Sequence, residues 1–565
     1  MDGLDERAGP VTGDRRAVPT WYRVLAPVLA GGLFLWYFAG VVRLDLTGGL
    51  GFTLDDGWIH LVFARNLVQF HTWGFNPGQA SAGDTSILWV LLLAGGFFFT
   101  RHGPWISYGL SFMTLLIVSA LLGRLVVDFF PSDRPGGRNR FWRIAVLVIV
   151  VCCGNVIWYA FSGMETLLLL ALGLGAICSA ASDRRGLTAI LTALAALTRP
   201  EGIIVALVIA VWDCGRGRGG WRPYRPLPLW VYGLTGAAWG FMQNYGLQHH
   251  VSGRFLPATL LGRSWIIGWP AGPTVDPLSI LKNFSWLIGV WGYRLLQFTF
   301  GQALLRELGL PEEAAWVVAG LVGLLAAVGF IVYLARMRGV AVMFLLWSIG
   351  QVLAYAVILP TRGHAGRYQP MVVILAALCF GLGVYVLGDA AIRGVRRQAI
   401  KVLAGAVLAA AVAIVIGSVW LWRAVVIQSI AHFDAVHVRA ACFLREHTDP
   451  QARIAAFDIG AMGYFAGREV IDVSGLLDPR AGHALYDGTM VNYLVEKRPD
   501  YLAMIFPYTD PPSYFNAMHL DKLATGEQLK EVKTFSIPIP QPYWPGEAAR
   551  VLAGTIRIYR VDWAW

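Results

Sequence analysis

Long apolar segments recur along almost the whole chain, and they limit what it can fold into. Of its 565 residues, 56% are hydrophobic and only 14% are charged, a composition outside the usual range of soluble globular proteins. A helix needs about 20 apolar residues to cross the hydrocarbon core of a bilayer, and runs of that length occur at Arg23 to Val42 and at Val402 to Arg423. The sequence predicts an α-helical polytopic membrane protein.

Hydropathy predicts about 11 transmembrane helices. They are Arg23 to Val42, Trp105 to Val127, Ile144 to Ser162, Thr166 to Ala181, Leu187 to Leu197, Ile203 to Trp212, Leu229 to Leu247, Ala314 to Ala335, Val340 to Leu359, Met371 to Leu387 and Val402 to Arg423. The segment Ile87 to Thr100 is short for a span and suits a helix lying at the bilayer interface. Lys282 to Gln302 is predicted to be a further membrane-associated helix, and whether it crosses stays open.

The positions of the basic residues indicate the membrane topology of the chain and do not indicate nucleic-acid binding. The formal net charge is +11, but arginines stand in short clusters between apolar runs and not along one soluble face. With an odd number of spans and a cytoplasmic amino terminus, each of these clusters falls on the cytoplasmic side, as the positive-inside rule requires. We therefore expect a multi-pass plasma-membrane protein whose carboxyl-terminal region lies outside, with no nucleic-acid partner.

The chain divides by composition into three parts. Residues 1–22 form a polar cytoplasmic tail, and residues 23–423 form the transmembrane domain with outer loops at 44–104 and 248–313. Residues 424–565 carry more charge and proline and alternate short apolar segments, which predicts a soluble extracytoplasmic α/β domain. Its expected strands are Arg453 to Phe457, Glu469 to Val473 and Asp500 to Ile505. The six cysteines show no disulfide framework or zinc-ligand spacing.

The first outer loop carries two adjacent acids, Asp55 and Asp56, at the start of a helical pattern. A carboxylate at a helix amino terminus is commonly a cap. Capping accounts for one acid, whereas a second acid next to the apolar phase requires another role, such as binding a cation or accepting a proton. The pair is therefore a catalytic candidate. His60 lies one turn beyond Asp56, and a lone histidine of this kind is more often packed than catalytic.

Several motifs along the chain resemble those of GT-C glycosyltransferases, membrane enzymes that use polyprenyl-phosphate sugars. The greatest resemblance is to the actinobacterial terminal arabinofuranosyltransferase group, and it extends over nearly the whole chain. The motifs are Leu54 to Leu67, Gly74 to Gly78, Thr85 to Trp89, Ser162 to Thr166, Leu197 to Gly202, Leu256 to Arg263, Gly366 to Tyr368 and Phe457 to Phe465. The resemblance implies a GT-C fold, a polyprenyl-phosphate sugar donor and a cell-envelope glycan or glycolipid acceptor.

The resemblance also implies that an acid of the first outer loop is the general base. We expect Asp56 to take this role with Asp55 as its partner, although the order could be reversed. Arg263 stands where relatives carry a terminal lysine and is expected to bind the donor phosphate, with contact to lipid headgroups as the alternative. In the same motif Ala258 and Leu261 replace the usual Asn and Tyr, which puts the contacts to the donor sugar in doubt.

A second cationic cluster is predicted at Arg362, His364 and Arg367, on the face where topology expects few positive charges. These residues are candidates for donor-phosphate binding, with lipid headgroup contacts or salt bridges as the alternative. Glu165, Arg199 and Glu201 are candidates for the cavity wall. For Glu165 the alternative is a simple helix cap, and for Arg199 and Glu201 it is an internal ion pair.

The proposed chemistry requires no metal ion or other cofactor, although the paired acids could hold a divalent cation. A transporter of lipid-linked saccharides or a non-catalytic membrane scaffold is the rival from another class. A transporter would distribute polar residues through both halves of the membrane, whereas here they gather on one predicted side. Within the enzymes, a transferase for a different sugar such as mannose or aminoarabinose, or a glycan ligase, stays open.

Overall fold

A computed structural model describes the chain in eleven stretches, of which the longest are 20–130 and 398–507. The described residues are 20–130, 138–215, 227–253, 258–268, 276–294, 312–361, 363–392, 398–507, 514–525, 528–537 and 554–563. Helices make up the first three quarters of the chain, and a small sheet lies in the last quarter.

The helices before the sheet follow the apolar runs of the sequence closely. In chain order they are α1 Thr20–Val41, α2 Asp56–Phe70, α3 Ile87–Phe97, α4 Gly103–Val127, α5 Arg138–Val151, α6 Gly154–Tyr159, α7 Thr166–Ala181, α8 Arg185–Thr198, α9 Ile203–Gly215, α10 Leu229–Ser252, α11 Ala258–Ile266, α12 Pro277–Arg294, α13 Glu312–Arg336, α14 Val340–Ile358, α15 Pro370–Ile392 and α16 Gln398–Phe433. Two short 3₁₀ turns, Pro200–Gly202 and His364–Gly366, interrupt the connections near the site described below.

Among the described residues, six helical segments are long and apolar enough to cross a membrane. They are Val24–Val41, Gly103–Val127, Val317–Arg336, Val340–Ile358, Pro370–Ala391 and Ala404–His447. The predicted number of about 11 spans is therefore not confirmed. Helices α8 and α9 have 14 and 13 residues and rise only about 20 Å, which is short of the roughly 30 Å hydrocarbon core.

The predicted span Ile144 to Ser162 is broken into two helices. Helix α5 ends at Val151, and α6 begins at Gly154. A Cβ on Gly154 would lie 2.0 Å from the Trp422 indole, so this glycine lets α16 pack directly against the break. Helix α3, in the segment expected to lie at the interface, has only 11 residues, and residues 295–302 of the predicted membrane-associated helix lie outside the described residues.

Several helix pairs pack through glycine. A Cβ on Gly236 or Gly240 of α10 would lie 2.1 Å from a carbonyl oxygen of α8, and a Cβ on Gly329 of α13 would lie 1.7 Å from the Cys379 carbonyl oxygen of α15. Small residues allow this close backbone approach, which is a main source of helix association in membranes. The bundle is thus held by direct backbone contact around a continuous apolar core.

The last quarter of the chain forms a five-stranded mixed sheet. Its strands are β1 Arg453–Ala456, β2 Glu469–Asp472, β3 Tyr501–Pro507, β4 Leu529–Phe535 and β5 Gly554–Val561, in the order β2-β1-β3-β5-β4. Strands β1, β2 and β3 are parallel, whereas β5 is antiparallel to both β3 and β4. The three strands expected from the sequence are confirmed within a residue or two, and β4 and β5 were not predicted.

Short helices connect the strands. They are α17 Arg439–His447, α18 Gly460–Phe465, α19 Pro479–Tyr486, α20 Met490–Lys497, α21 Tyr514–Ala517 and α22 Asp521–Thr525. Helix α17 continues from α16 through the π-turn Asp434–Val438, so the predicted boundary at residue 424 lies inside a helix. The separate domain at 424–565 stays a prediction.

The sheet region is fastened to the first loop, residues 44–104, at several points. The Asn76 side-chain amide donates to the Val470 carbonyl and accepts from the Val470 N–H, each at 2.9 Å, so it extends the edge of β2. The Arg65 guanidinium donates to the carbonyls of Gly463 and Tyr464, also at 2.9 Å. These contacts hold α2 and the segment that follows it against the sheet region.

Candidate active site

Asp56, the first residue of α2, lies between two arginines from distant parts of the chain. Its Oδ2 accepts a hydrogen bond from Arg263 at 2.6 Å and another from Arg367 at 2.5 Å. Arg263 stands on α11, and Arg367 follows the turn His364–Gly366. The structure therefore brings the expected base together with two of the expected phosphate-binding residues.

The two arginines keep Asp56 ionised. Burial alone would raise the pKa of this carboxyl, but the charges and hydrogen bonds of Arg263 and Arg367 outweigh it and hold the pKa far below its usual range. In this arrangement Asp56 is a counter-ion and a weak base. A proton-accepting role requires that the arginines first turn to another anion.

Arg367 retains donors that bind nothing in the described structure. Its side chain is only 1% exposed. One of its terminal nitrogens donates to Asp56, and that nitrogen also lies 3.3 Å from the Tyr368 hydroxyl. Its Nε and its other terminal nitrogen have no hydrogen-bond partner among the described residues. Because an unpaired buried donor is costly, this guanidinium is prepared for a further acceptor.

Asp55 has a different environment from its neighbour. Its carboxylate accepts from the backbone N–H groups of Gly460 at 2.7 Å and Ala461 at 2.8 Å. It therefore caps α18 in the sheet region, and its side chain does not cap α2. Burial raises the pKa of Asp55 to about 7, with His437 and the Ala461 N–H acting in the opposite direction. Both oxygens are occupied, so Asp55 joins two parts of the molecule.

Glu165, Arg199 and Glu201 form a second charged group. Arg199 lies 3.3 Å from a carboxylate oxygen of each acid, and it donates to the Tyr355 hydroxyl at 3.2 Å. That hydroxyl in turn donates to Glu201. The internal ion pair considered for Arg199 and Glu201 is present, whereas the side chain of Glu165 makes no cap to its own helix α7.

His60 extends this group to Asp84, a residue that the sequence analysis did not select. The His60 Nδ1 lies 2.5 Å from Asp84, and its Nε2 lies 3.2 Å from Glu165. Burial would lower the pKa of His60, but the two acids raise it to about 10. Burial likewise opposes ionisation of Glu165, and Arg199 and His60 lower its pKa to about 2. The two acids therefore favour the protonated form of His60.

Tyr368 connects the two charged groups. Its ring lies beneath both Arg199 and Arg367, at 5.1 Å from each guanidinium carbon, and it stacks on Tyr355 with ring centroids 5.3 Å apart. Cation–π contacts of this kind hold guanidinium groups without consuming their hydrogen-bond donors. The ring therefore supports both arginine planes, and it leaves the Nε and one terminal nitrogen of Arg367 without a hydrogen-bond partner among the described residues.

The backbone of the Arg367 turn is held from the bundle. Ala365 has a φ of 50°, an uncommon conformation for alanine. Its carbonyl accepts hydrogen bonds from Asn155 at 3.0 Å and Tyr159 at 2.8 Å. On the other side, Gly262 of α11 packs on the Ser474 carbonyl, where a Cβ would lie 2.1 Å away. Both arginines are therefore presented on backbone segments with fixed positions.

Both charged groups line one cavity of about 290 Å³. Of the nine residues chosen from sequence, six line it: Asp56, Arg263, Arg367, Glu165, Arg199 and Glu201. Asp55 and His364 do not line it, and Arg362 lies outside the described residues. The cavity also has an apolar wall, contributed by residues such as Ile59, Leu260 and Ile358.

Among the other residues that line the cavity, the sequence analysis considered His60 and set it aside, and it did not select Asp84, Tyr355 or Tyr368 as site residues. His60 shares a helix face with Asp56, which was a usable signal, but its partner Asp84 lies 24 residues further on. Tyr368 closes the quoted motif Gly366 to Tyr368. Neither Asp84 nor Tyr355 stands in a pattern that distinguishes it from a packed residue.

Comparison with solved structures identifies proteins that share this fold. ArnT from Cupriavidus metallidurans, bound to undecaprenyl phosphate, matches 96% of this chain over 98% of its own, with a TM-score of 0.53 and 12% identity. AglB from Archaeoglobus fulgidus, in complex with an inhibitory peptide and a dolichol-phosphate, matches 86% of this chain over 69% of its own, with a TM-score of 0.50 and 12% identity. The chain has a GT-C fold.

Sequence comparison adds little to this assignment. A family model described as a domain of unknown function, DUF8728, matches residues 428–553, and a search of curated proteins gave no match. The mycobacterial arabinofuranosyltransferase AftD matches 96% of this chain over 42% of its own, with 17% identity and a TM-score of 0.45, which is too low to support an argument. The comparisons confirm the GT-C fold expected from the motifs and leave the arabinofuranosyltransferase group unconfirmed.

Proposed function

We propose that the protein is a GT-C glycosyltransferase that transfers a sugar from a polyprenyl phosphate to an acceptor hydroxyl. The observation that carries this proposal is the half-buried Asp56 carboxylate, which lines the cavity and accepts hydrogen bonds from Arg263 and Arg367 on the same oxygen. A proton acceptor and a pair of phosphate-binding cations are the two groups that such a transfer requires.

The donor phosphate is assigned to the arginines. Planar guanidinium groups bind phosphate oxygens through paired hydrogen bonds, and Arg367 has buried donors with no partner among the described residues. Two proteins with this fold, ArnT and AglB, have been seen with undecaprenyl phosphate and dolichol-phosphate. A polyprenyl phosphate is therefore the donor class that fold and charge together support.

Donor binding would convert Asp56 from a counter-ion into a base. When the phosphate takes over the hydrogen bonds of Arg263 and Arg367, the carboxylate loses the charges that lower its pKa. Its affinity for a proton then rises, which a general base requires. The arginines exchange one anion for another, and the acceptor hydroxyl can then donate its hydrogen bond to the released Asp56 carboxylate.

The transfer itself balances without a further reactant. The acceptor oxygen forms a bond to the anomeric carbon as the bond from that carbon to the phosphate oxygen breaks. The proton of the acceptor hydroxyl passes to Asp56, and the electron pair of the broken bond leaves with the polyprenyl phosphate. The guanidiniums of Arg263 and Arg367 stabilise the charge that develops on the leaving group.

The finer assignment follows from the sequence motifs. We propose an arabinofuranose or related pentose as the first donor sugar to test, and a cell-envelope glycan or glycolipid as the acceptor. The site would open to the outer face of the plasma membrane, beside an extracytoplasmic carboxyl-terminal region. A donor panel that includes mannose and aminoarabinose phosphates tests the sugar directly.

The experiment compares wild type with Asp56→Asn in lipid nanodiscs. We expect sugar transfer to fall by about 10² or more, the usual contribution of a general base. Because the substitution removes the anion that competes for the arginines, we also expect polyprenyl phosphate itself to bind about tenfold more tightly, a gain of about 1.4 kcal/mol. A merely structural aspartate would instead weaken both binding and transfer when substituted.

The proposal fails if wild type turns over no polyprenyl-phosphate sugar in the panel, or if Asp56→Asn transfers sugar at the wild-type rate. Asp213→Asn is the matched control, since this acid also lies buried but contacts the backbone N–H of Trp230 outside the cavity. It is expected to leave transfer and polyprenyl phosphate binding unchanged.

The proposed mechanism needs no metal ion to stabilise the leaving phosphate. Arg263 and Arg367 supply the positive charge beside the leaving group, so we expect transfer to survive dialysis against EDTA. Rates measured before and after chelation, and again after adding Mg²⁺ or Mn²⁺, test this expectation. Loss of transfer on chelation with recovery on metal addition would contradict it.

A further inference from the structure

Two polar side chains line the cavity at the second charged group and keep a hydrogen-bonding atom open to it. Glu201 uses its Oε1 for the Tyr355 hydroxyl, and Arg199 lies 3.3 Å from the same oxygen. Its Oε2 accepts no hydrogen bond from another described residue, and the side chain is 17% exposed. The hydroxyl of Tyr245, on α10, also has no hydrogen-bond partner among the described residues. A ligand in the cavity therefore meets an unused acceptor and an unused hydroxyl.

These two groups are close to each other. Glu201 stands in the turn Pro200–Gly202, which packs against α10, and its charge acts on the Tyr245 hydroxyl. The Tyr245 ring is held by stacking on Phe241, with ring centroids 4.2 Å apart. A carboxylate oxygen only accepts hydrogen bonds, whereas a phenol hydroxyl also donates. The pair can therefore bind a hydroxyl-bearing ligand from both sides of its hydrogen-bonding chemistry.

The pair lies near the arginines assigned to the donor phosphate. Arg199, which contacts Glu201, and Arg367 lie over the same Tyr368 ring, and each guanidinium carbon is 5.1 Å from the ring centre. The two guanidinium carbons are therefore no more than twice that distance apart. All of these residues line one cavity, so a sugar attached to a phosphate at Arg367 can extend to Glu201 without leaving it.

The second charged group has more acids than cations. With His60 protonated, the cations are His60 and Arg199, and the acids are Asp84, Glu165 and Glu201. A hydroxyl can donate to the open oxygen of Glu201, whereas a carboxylate cannot donate and is repelled. Repulsion of the wrong ligand is a common source of specificity. The group therefore distinguishes sugars by charge.

We infer that Glu201 and Tyr245 bind the donor sugar and make the cavity specific for a sugar without an acidic group. Glu201 accepts a hydrogen bond from a sugar hydroxyl, and Tyr245 donates one to the same sugar. The inference rests on the proposed function, because it takes the donor to be a polyprenyl-phosphate sugar held by Arg263 and Arg367. It adds the chemical class of the sugar, which the arginines do not select.

The direct test measures donor binding to the full-length protein in nanodiscs with no acceptor present. The ligands displace a fluorescent polyprenyl phosphate, and they are unlabelled polyprenyl phosphate and its arabinofuranosyl, mannosyl and glucuronosyl derivatives. We expect wild type to bind at least one of the two neutral derivatives tenfold or more tightly than the glucuronosyl derivative.

Tyr245→Phe removes only the hydroxyl, which has no partner among the described residues. We expect this variant to bind the preferred neutral derivative about tenfold more weakly, the usual contribution of one hydrogen bond, and to bind polyprenyl phosphate as wild type does. Tyr232→Phe is the matched control, because this tyrosine is also half-buried on α10 but does not line the cavity. It should bind every ligand as wild type does.

Glu201→Gln separates charge from structure. The amide oxygen can still accept from the Tyr355 hydroxyl, but the negative charge is lost. We expect the preference for the neutral over the glucuronosyl derivative to shrink by about tenfold. A merely structural role of Glu201 would weaken the binding of all derivatives alike and leave this preference unchanged.

These measurements separate the inference from the proposed function. Absence of binding by both neutral derivatives, equal binding by wild type and Tyr245→Phe, glucuronosyl binding as tight as neutral binding, or an unchanged preference in Glu201→Gln would each overturn the inference, even if transfer depends on Asp56. Conversely, Tyr245-dependent binding of a neutral derivative without sugar transfer to any acceptor would support the sugar site and refute the transferase.

Discussion

At the residue scale, the consecutive carboxylates of Asp55 and Asp56 bind different parts of the molecule. Asp56 faces the cavity and meets two guanidiniums, whereas Asp55 faces away and accepts from backbone N–H groups. The sequence analysis expected both acids in the site and considered a cap of α2, whereas Asp55 caps α18 and only Asp56 lines the cavity. The partners could not be predicted because Arg263 and Arg367 lie 207 and 311 residues from Asp56, and no local pattern connects such distances.

His60 provides a prediction about pH. Its pKa rises from 6.5 in the unfolded chain to about 10 in the folded protein, so its contribution to stability is complete below pH 6.5 and is lost as pH rises through about 10. We expect the unfolding midpoint of wild type to fall between pH 7 and 10 by more than that of His60→Gln. Thermal unfolding in detergent across this range measures it, and His102→Gln, at an exposed histidine, should retain the wild-type slope.

At the scale of elements, close backbone contact decides where α2 lies. A Cβ on Gly57 would lie 2.5 Å from the Ser162 carbonyl oxygen and 3.1 Å from the Gly163 Cα. The apolar runs predicted most of the helices, because burial dictates their composition. Their number of about 11 spans is not confirmed, because short helices such as α8 and α9 satisfy hydropathy without having the length of a span.

Gly57→Ala tests the contact that positions Asp56. Backbone atoms cannot turn aside as a side chain can, so the added methyl should displace α2 at a cost of about 1–3 kcal/mol. We expect a lower unfolding midpoint together with slower sugar transfer. Gly95→Ala in α3 is the matched control, since a Cβ there meets nothing within 4 Å, and alanine is preferred over glycine in a helix. Transfer at the wild-type rate in Gly57→Ala would show that this contact does not set the position of the carboxylate.

At the scale of the whole molecule, the sheet region and the first loop behave as one unit. The sequence predicted three strands and an α/β arrangement from short apolar segments. It could not predict the order β2-β1-β3-β5-β4 or the docking, because contacts such as Asn76 with Val470 span 394 residues. The predicted boundary at residue 424 followed a change in composition, whereas the helix continues through it.

Arg65→Ala tests the docking. It removes two hydrogen bonds to the carbonyls of Gly463 and Tyr464 and the stacking of the guanidinium over the Tyr464 ring at 5.0 Å. We expect faster hydrogen exchange at residues 460–465, measured by mass spectrometry, and slower sugar transfer. Lys530→Ala, at an exposed position on β4, should change neither. Unchanged exchange in Arg65→Ala would mean that the other contacts suffice to hold the sheet region in place.

Asp55 caps α18, a helix that is synthesised long after Asp55 itself. The ribosome completes the first loop early. Gly460 and Ala461, whose N–H groups donate to Asp55, follow 405 and 406 residues later. Until that late segment emerges, the Asp55 carboxylate lacks the backbone N–H groups of Gly460 and Ala461. A chain that ends before Gly460 would therefore carry Asp55 and Asp56 at the start of α2 without the two hydrogen bonds that join this point to the sheet region.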